Sequence, residues 1–237
     1  MGTPSTIAID GPAASGKSTI GHYLAESLDH LYLDTGALYR AVTLAALRRG
    51  VPIEDEEAVT ELAESLPIEV ESGESDDGRQ YTILIESEDV TWALRSPEVD
   101  RAVSPVSAYP GVREALTRRM REIARRGDVV MVGRDIGTVV LPDADLKLYV
   151  TASAEERARR RYLERLAQGK IESYEAVLTG IRRRDRIDSS RSAAPLRPAE
   201  DAVHFDNTDL SIDEMFEALD GLVERRAAEL DHADRQN

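Results

Sequence analysis

Eight consecutive residues, Gly11-Pro12-Ala13-Ala14-Ser15-Gly16-Lys17-Ser18, followed by Thr19, have the types and spacing to hold a phosphate chain. They match G-x-x-x-x-G-K-[ST], a loop whose backbone N–H groups surround an oxyanion. Gly11 and Gly16 let the chain turn tightly with no Cβ in the way. The positive end of the helix that follows points at the same place. Lys17 has the reach to bridge the β- and γ-phosphates, and the Ser18 hydroxyl is a hard oxygen ligand suited to Mg²⁺. The loop implies a nucleoside triphosphate and leaves open what becomes of its γ-phosphate.

Three further stretches carry chemistry. Asp34-Thr35-Gly36-Ala37-Leu38-Tyr39-Arg40 brings a hydroxyl, a helix start and an arginine together. That makes a second anion site, although Asp-Thr-Gly is also an ordinary helix cap. Gly133-Arg134-Asp135-Ile136-Gly137-Thr138 follows an apolar run, so Arg134 and Asp135 fall at a strand end, as ligand contacts or as an ion pair. In Arg182-Arg183-Arg184-Asp185-Arg186-Ile187-Asp188-Ser189-Ser190-Arg191, residues 184, 188 and 191 recur at i, i+4, i+7. On a helix they share one face, either a salt-bridged surface or a functional one.

These residues need a scaffold. Thr6–Asp10 is a β-branched and apolar run ending at Gly11-Pro12, which predicts a buried strand. Apolar residues at 20, 23, 24 and 28 predict a helix over Lys17–Leu28. A short strand at 31–33 and a helix at 37–49, closed by Gly50 and Pro52, come next, then an acidic surface helix at 54–66. Ile68–Ser72 and Tyr81–Ile85 flank a polar stretch as a hairpin does. A helix is predicted at 110–126 and strands at 129–132, 146–150 and 202–205. Ser153…Glu156 and Ser211…Glu214 are capping boxes that start helices, and the chain is expected to fray from 231 to 237. Strands alternating with helices describe an α/β fold, a five-stranded parallel sheet with helices on both faces. Ligands of such sheets bind at the carboxyl ends of the strands, where the motifs fall.

Composition narrows the function classes. The chain has 237 residues, 41% hydrophobic and 32% charged, enough for a sizeable core. Its net charge of −15 opposes non-specific binding to nucleic acid or to an anionic membrane. The absence of cysteine excludes disulfides, thiolate metal sites and cysteine catalysis. No run of about 18 apolar residues and no signal-like amino terminus is present, so the expectation is a soluble, cytoplasmic protein. The charge is uneven: residues 53–100 hold 16 acidic and 2 basic side chains, whereas 154–191 hold 11 basic and 7 acidic. Arginine concentrated in one segment of an acidic chain suggests a local anion.

GPAASGKS, DTGALYR, GRDIGTVVLPDA and RDRIDSSRSAAPLRP, in that order, resemble the bacterial cytidylate kinases from about residue 6 to about 225. The resemblance implies a phosphate-loop kinase core over 1–66 and 105–230 and an inserted nucleoside-monophosphate-binding lobe at 67–104. It also implies a mobile helical lid at about 154–170. The reaction it implies is transfer of the γ-phosphoryl group from ATP to CMP or dCMP with Mg²⁺, by a chain expected to act as a monomer. Thr35, Arg40, Arg134 and Arg191 would meet the acceptor phosphate, with Lys17, Arg134 and Arg191 serving catalysis. Ser104, Arg113 and Asp135 would read cytosine, and Arg184 and Asp188 would hold the ribose. Arg157 and Arg161 of the lid would close on the ATP phosphates.

One position departs from the family pattern. Many members carry an acid just before Gly-Arg-Asp, where this chain has Val132; Asp10 and Asp34 are the nearby candidates to orient a magnesium-bound water in its place. A kinase for UMP, AMP or a non-nucleotide alcohol, and a non-catalytic nucleotide-binding regulator, are the alternative readings.

Overall fold

A computed structural model describes residues 3–72, 77–169, 171–190 and 194–234. The chain divides into two compact units, residues 1–28 with 130–237, and residues 29–129. In chain order the elements are β1 (Thr6–Asp10), α1 (Lys17–Leu28), β2 (Leu31–Asp34), α2 (Gly36–Arg49) and α3 (Glu56–Ser65). There follow β3 (Ile68–Ser72), β4 (Tyr81–Ile85), β5 (Glu88–Asp89), α4 (Pro97–Val106) and α5 (Pro110–Ala124). Then come β6 (Val129–Gly133), β7 (Leu146–Thr151), α6 (Ala154–Ala167), α7 (Tyr174–Ser190), β8 (Val203–Asp206) and α8 (Ile212–Asp234). The main sheet has five parallel strands in the order β2-β6-β1-β7-β8, with helices around it.

The first unit is built on β1 paired in parallel with β7, Ile7 opposite Leu146, and β7 with β8, Leu148 opposite Val203. Ile7, Ile9, Leu148 and Val150 are fully buried, which is why these strands read as continuous apolar runs. Because the strands are parallel, the segments after β1, β6, β7 and β8 all leave from one edge. The Ser211 capping box forms in full, Ser211 Oγ accepting from Glu214 N and Glu214 Oε2 from Ser211 N. At α6 only half of it forms: Ser153 Oγ accepts from Glu156 N, but Ser153 N donates to Thr208 and the Glu156 carboxylate turns to Arg159 and Arg160. α8 continues to Asp234, past Leu230 where the sequence pattern suggests fraying.

In the second unit, α2 is buried along most of its length and ends at Gly50 in the left-handed region (φ 67°). Asp55 caps α3 by accepting from Ala58 N. β3 and β4 form the expected hairpin, Ile68 opposite Ile85, and β5 adds a third antiparallel strand. Arg79 ties this hairpin together through Asp77 and Asp89, and Trp92 Nε1 donates to Asp77. The 3₁₀ turn Ala93–Arg95 and helix α4 that follow are elements the sequence pattern did not announce.

Candidate active site

The phosphate loop begins where β1 ends. A Cβ on Gly11 would lie 2.1 Å from Val150 O, so only glycine fits against β7 here. Gly16 has φ +90°, again a conformation that side chains disfavour. Between them, Ala13 and Ala14 pack on a small apolar core of Ala158, Val177 and Ile181, supplied by α6 and α7. The two alanines of the motif are therefore contact points between loop and helices. The Ser15 hydroxyl is buried and unpartnered.

Lys17 is the first residue of α1, where the sequence pattern starts the helix. Its side chain is folded back, 6% exposed, with Nζ donating to Pro12 O at 2.7 Å. The ammonium thus hangs over the loop that its own helix closes. Ser18 and Thr19, next along the helix, are exposed. Ser18 is a hard oxygen donor at a helix start, and this fits Mg²⁺ when phosphates and water supply the other ligands. Among the described residues no cluster of three or more His, Cys, Asp or Glu could hold a metal by itself.

Asp10, the last residue of β1, is 3% exposed. Oδ1 accepts from Ile136 N at 2.8 Å and Oδ2 from Gly137 N at 2.7 Å. Burial pushes its carboxyl up to about 6, against those two N–H groups; Asp135 adds to the rise and Lys17 opposes it. Both oxygens are committed to the turn after β6, so Asp10 is an anchor for Arg134 and Asp135. Val132 is buried inside β6, and its side chain carries no polar atom.

Arg134 leaves that turn half-buried. Its Nε donates to Asp188 Oδ2 at 3.2 Å and its Nη1 to Gly133 O at 3.1 Å. Arg184 Nε lies 3.9 Å from the same Asp188 oxygen, so the shared helix face predicted for 184 and 188 exists. Asp135 is buried beside Arg134. Arg191 lies outside the described residues.

The arginines of α6 sort by their partners. Arg157 is buried, and its guanidinium is spent on protein: Ala152 O, Ala13 O and both oxygens of Asp185. Arg161 is 44% exposed and turns to Glu164 at 2.8 Å. Arg160, which sequence reasoning passed over, stands at the loop, its Nη1 3.6 Å from where a Gly16 Cβ would be. It donates to Glu156, to Asn207 Oδ1 and to Asn207 O. Asn207 had no motif to mark it; its one signal is that it follows the last strand at the carboxyl edge of the sheet.

The second unit gathers its own polar set. Thr35 is the buried N-cap of α2, and Asp34 Oδ1 accepts from Gly36 N at 3.0 Å. Arg40 Nη1 donates to Leu94 O at 3.1 Å and pairs with Asp100. The Tyr81 hydroxyl belongs to this group: burial pushes it up to about 12, with Asp34 adding and Arg95 and Arg40 opposing. Arg113 Nη1 donates to Ser107 O at 3.2 Å and its guanidinium lies 5.7 Å from the Tyr39 ring centre. Ser104, exposed on α4, accepts at its carbonyl from Ser107 Oγ. Arg113 and Ser104 thus meet at Ser107, while Thr35 caps α2 and Arg40 follows five residues later, about 1.4 turns on.

Residues 7–225 match the cytidylate kinase family. A cytidylate kinase of Chloroflexus aggregans is 51% identical over 211 residues, covering 89% of this chain and 90% of that one. One from Herpetosiphon aurantiacus is 49% identical over 223 residues, 94% of this chain and 96% of that one. A third, from a Geobacillus species, is 47% identical over 220 residues, 93% and 96% of the two chains.

Proposed function

This chain belongs to the cytidylate kinase family, and from that premise we propose that it transfers the γ-phosphoryl group of ATP to CMP or dCMP, giving ADP and CDP or dCDP. The observation that carries the chemical step is the phosphate loop with Lys17 folded over it. The unit of activity in this reading is one chain.

The roles follow from charge. Two anionic substrates repel, so cations must offset the Coulomb cost of bringing them together. Residues 11–19 hold the ATP phosphates, all but Pro12 offering a backbone N–H, and the Lys17 ammonium meets charge developing on the transferred group. Arg134 donates to the acceptor phosphate, and Asp188 keeps its guanidinium oriented. Thr35 and Arg40 take the same phosphate, Ser104, Arg113 and Asp135 the base, and Arg184 and Asp188 the ribose hydroxyls. Arg191 is assigned to the phosphate on sequence grounds. Ser18 would hold Mg²⁺, which when bound would supply charge neutralisation at the triphosphate. Arg157 reaches the loop through Ala13 O, and its part is to brace the loop from the α6 side. An acceptor phosphate is already ionised near neutral pH and needs no general base. That agrees with where two of the histidines stand, His22 against Glu26 and His204 against the Tyr149 ring.

The test is ADP release from ATP with Mg²⁺, coupled to a continuous readout, over six nucleoside monophosphates. CMP and dCMP are expected to stimulate release most strongly. If CMP gives no more than the ATPase background, the proposal fails; stimulation by UMP or AMP alone would make the protein another small-acceptor kinase. ATP binding without turnover on any acceptor would make it a regulator.

A further inference from the structure

We propose that Asn207 is a positioning residue for the phosphate loop: its amide holds the Ser15–Gly16 peptide so that the Gly16 N–H faces the nucleotide phosphates. This rests on the phosphate-loop role proposed above and adds a residue outside the motif to it.

Asn207 follows β8 directly and is 1% exposed. Its backbone N donates to Thr151 O at 3.0 Å, which fixes the residue to the end of β7. Its Nδ2 donates to Ser15 O at 2.9 Å. On the other side, Oδ1 accepts from Arg160 Nη1 at 2.9 Å, and the backbone O accepts from Arg160 Nη2 at 2.9 Å. A guanidinium has donors only, so the amide oxygen must face Arg160 and the NH₂ must face Ser15. The orientation of the amide is therefore chemically determined.

The consequence lies in the peptide plane. Ser15 O and the Gly16 N–H belong to one planar trans peptide and point to opposite sides of the chain. Holding the oxygen on the Asn207 side sends the N–H to the other, into the loop. With Gly16 at φ +90°, the flanking torsions are permissive enough for this peptide to turn over. Turned over, it would present a carbonyl oxygen to an anion. A Cβ on Gly16 would sit 3.1 Å from Asn207 Nδ2, so the loop lies directly on the amide. Arg160 is held in turn by Glu156, 2.8 Å from its Nε. Glu156, Arg160, Asn207 and Ser15 thus form one chain of hydrogen bonds from α6 to the loop.

The experiment compares wild type with Asn207→Leu, which keeps the shape and removes both hydrogen-bonding ends. Calorimetry gives Kd for ATP and for CMP separately, and ¹H–¹⁵N spectra give the shift of the Gly16 amide on saturation with ATP. The expected result is an ATP Kd at least tenfold weaker, a CMP Kd within twofold of wild type, and a smaller ATP-induced Gly16 shift. A role confined to stability would lower Tm and leave the ATP Kd and the Gly16 shift of the folded protein unchanged, which overturns the proposal. Should Asn207→Leu not fold, Asn207→Asp keeps the Arg160 partner and reverses only the end facing Ser15; a wild-type Gly16 shift there overturns the proposal equally. Lys17→Ala runs in parallel. If it leaves ATP affinity and turnover intact, the phosphate-loop reading itself has failed; if Lys17 matters and Asn207 does not, only the positioning role has.

Discussion

Arg134 Nε donates to Asp188 Oδ2 across 3.2 Å, joining the turn after β6 to the last part of α7. The Asp188 side chain is 3% exposed and that of Arg134 23%, so a buried carboxylate orients a guanidinium that still reaches solvent. An aspartate buried this far resists losing a charged partner. Arg134→Ala is expected to lower kcat/KM for CMP by more than about a hundredfold. It should also reduce stability by about 1–3 kcal/mol, the usual cost of a buried group left short of a hydrogen bond. Arg134→Lys restores the charge without the planar fork, so it should recover stability better than activity. Urea unfolding and steady-state kinetics on both variants check this; wild-type kcat/KM in a folded Arg134→Ala protein would contradict it.

Lys17→Ala is expected to remove about a hundred- to thousandfold of kcat, the loss typical of one oriented stabilising group, about 2.7–4 kcal/mol. Stability should change by only about 1 kcal/mol, the usual net worth of a hydrogen bond such as the one Nζ donates to Pro12 O. Circular dichroism and turnover measured on the same sample decide it, and near-normal kcat is the outcome that counts against it.

Much of the fold was legible because buried parallel strands and capped helices leave local signals. Thr6–Asp10 appears where a β-branched run ends in Gly-Pro, and α6 and α8 start behind their serines. The phosphate loop was legible for the same reason, since its geometry is encoded in consecutive residues. What stayed hidden depends on helical phase and on distant partners. Five arginines lie on α6, and the sequence could not say that Arg160 faces Gly16 while Arg161 faces Glu164. Likewise nothing adjacent to Asn207 reveals that Ser15, far along the chain, is its partner. The double acceptance by Asp10 is invisible too, because Ile136 and Gly137 contribute only backbone N–H groups.

Asp10 makes stability depend on pH in a direction opposite to most carboxylates. Burial raises its folded value to about 6 from 3.8, so between those values the folded state binds more proton than the unfolded one. Stability from this residue is greatest at low pH, falls as pH rises through that window, and is flat above it. Asp10→Asn does not titrate. The stability of the variant minus that of wild type should therefore rise by about 2 kcal/mol between about pH 4.5 and 7.5. Taking the difference removes the contribution of the other carboxylates. Urea unfolding of both proteins at four pH values measures it, and a difference that does not vary with pH would reject the assignment.

Base choice is the sharpest consequence of the turn that Asp10 anchors. Asp135 is buried in that turn, 7% exposed, immediately after Arg134. Cytosine presents an exocyclic amino donor where uracil presents a carbonyl acceptor. In the proposed assignment of Asp135 to the base, a carboxylate aimed at that point would accept from cytosine and repel uracil. A charge-assisted hydrogen bond contributes roughly 1.5–3 kcal/mol, and its absence in a dry pocket costs a similar amount. CMP should thus be preferred over UMP by at least about tenfold in kcat/KM. Asp135→Asn keeps the size and can turn its amide to donate, so it should weaken CMP and relieve the penalty on UMP, narrowing the ratio from both sides. Asp10→Asn, which disturbs the turn without touching the base, should reduce kcat/KM for both nucleotides and leave their ratio closer to wild type. The measurement is kcat/KM for CMP and UMP in all three proteins. An unchanged ratio in Asp135→Asn would move base reading to Ser104 and Arg113 alone.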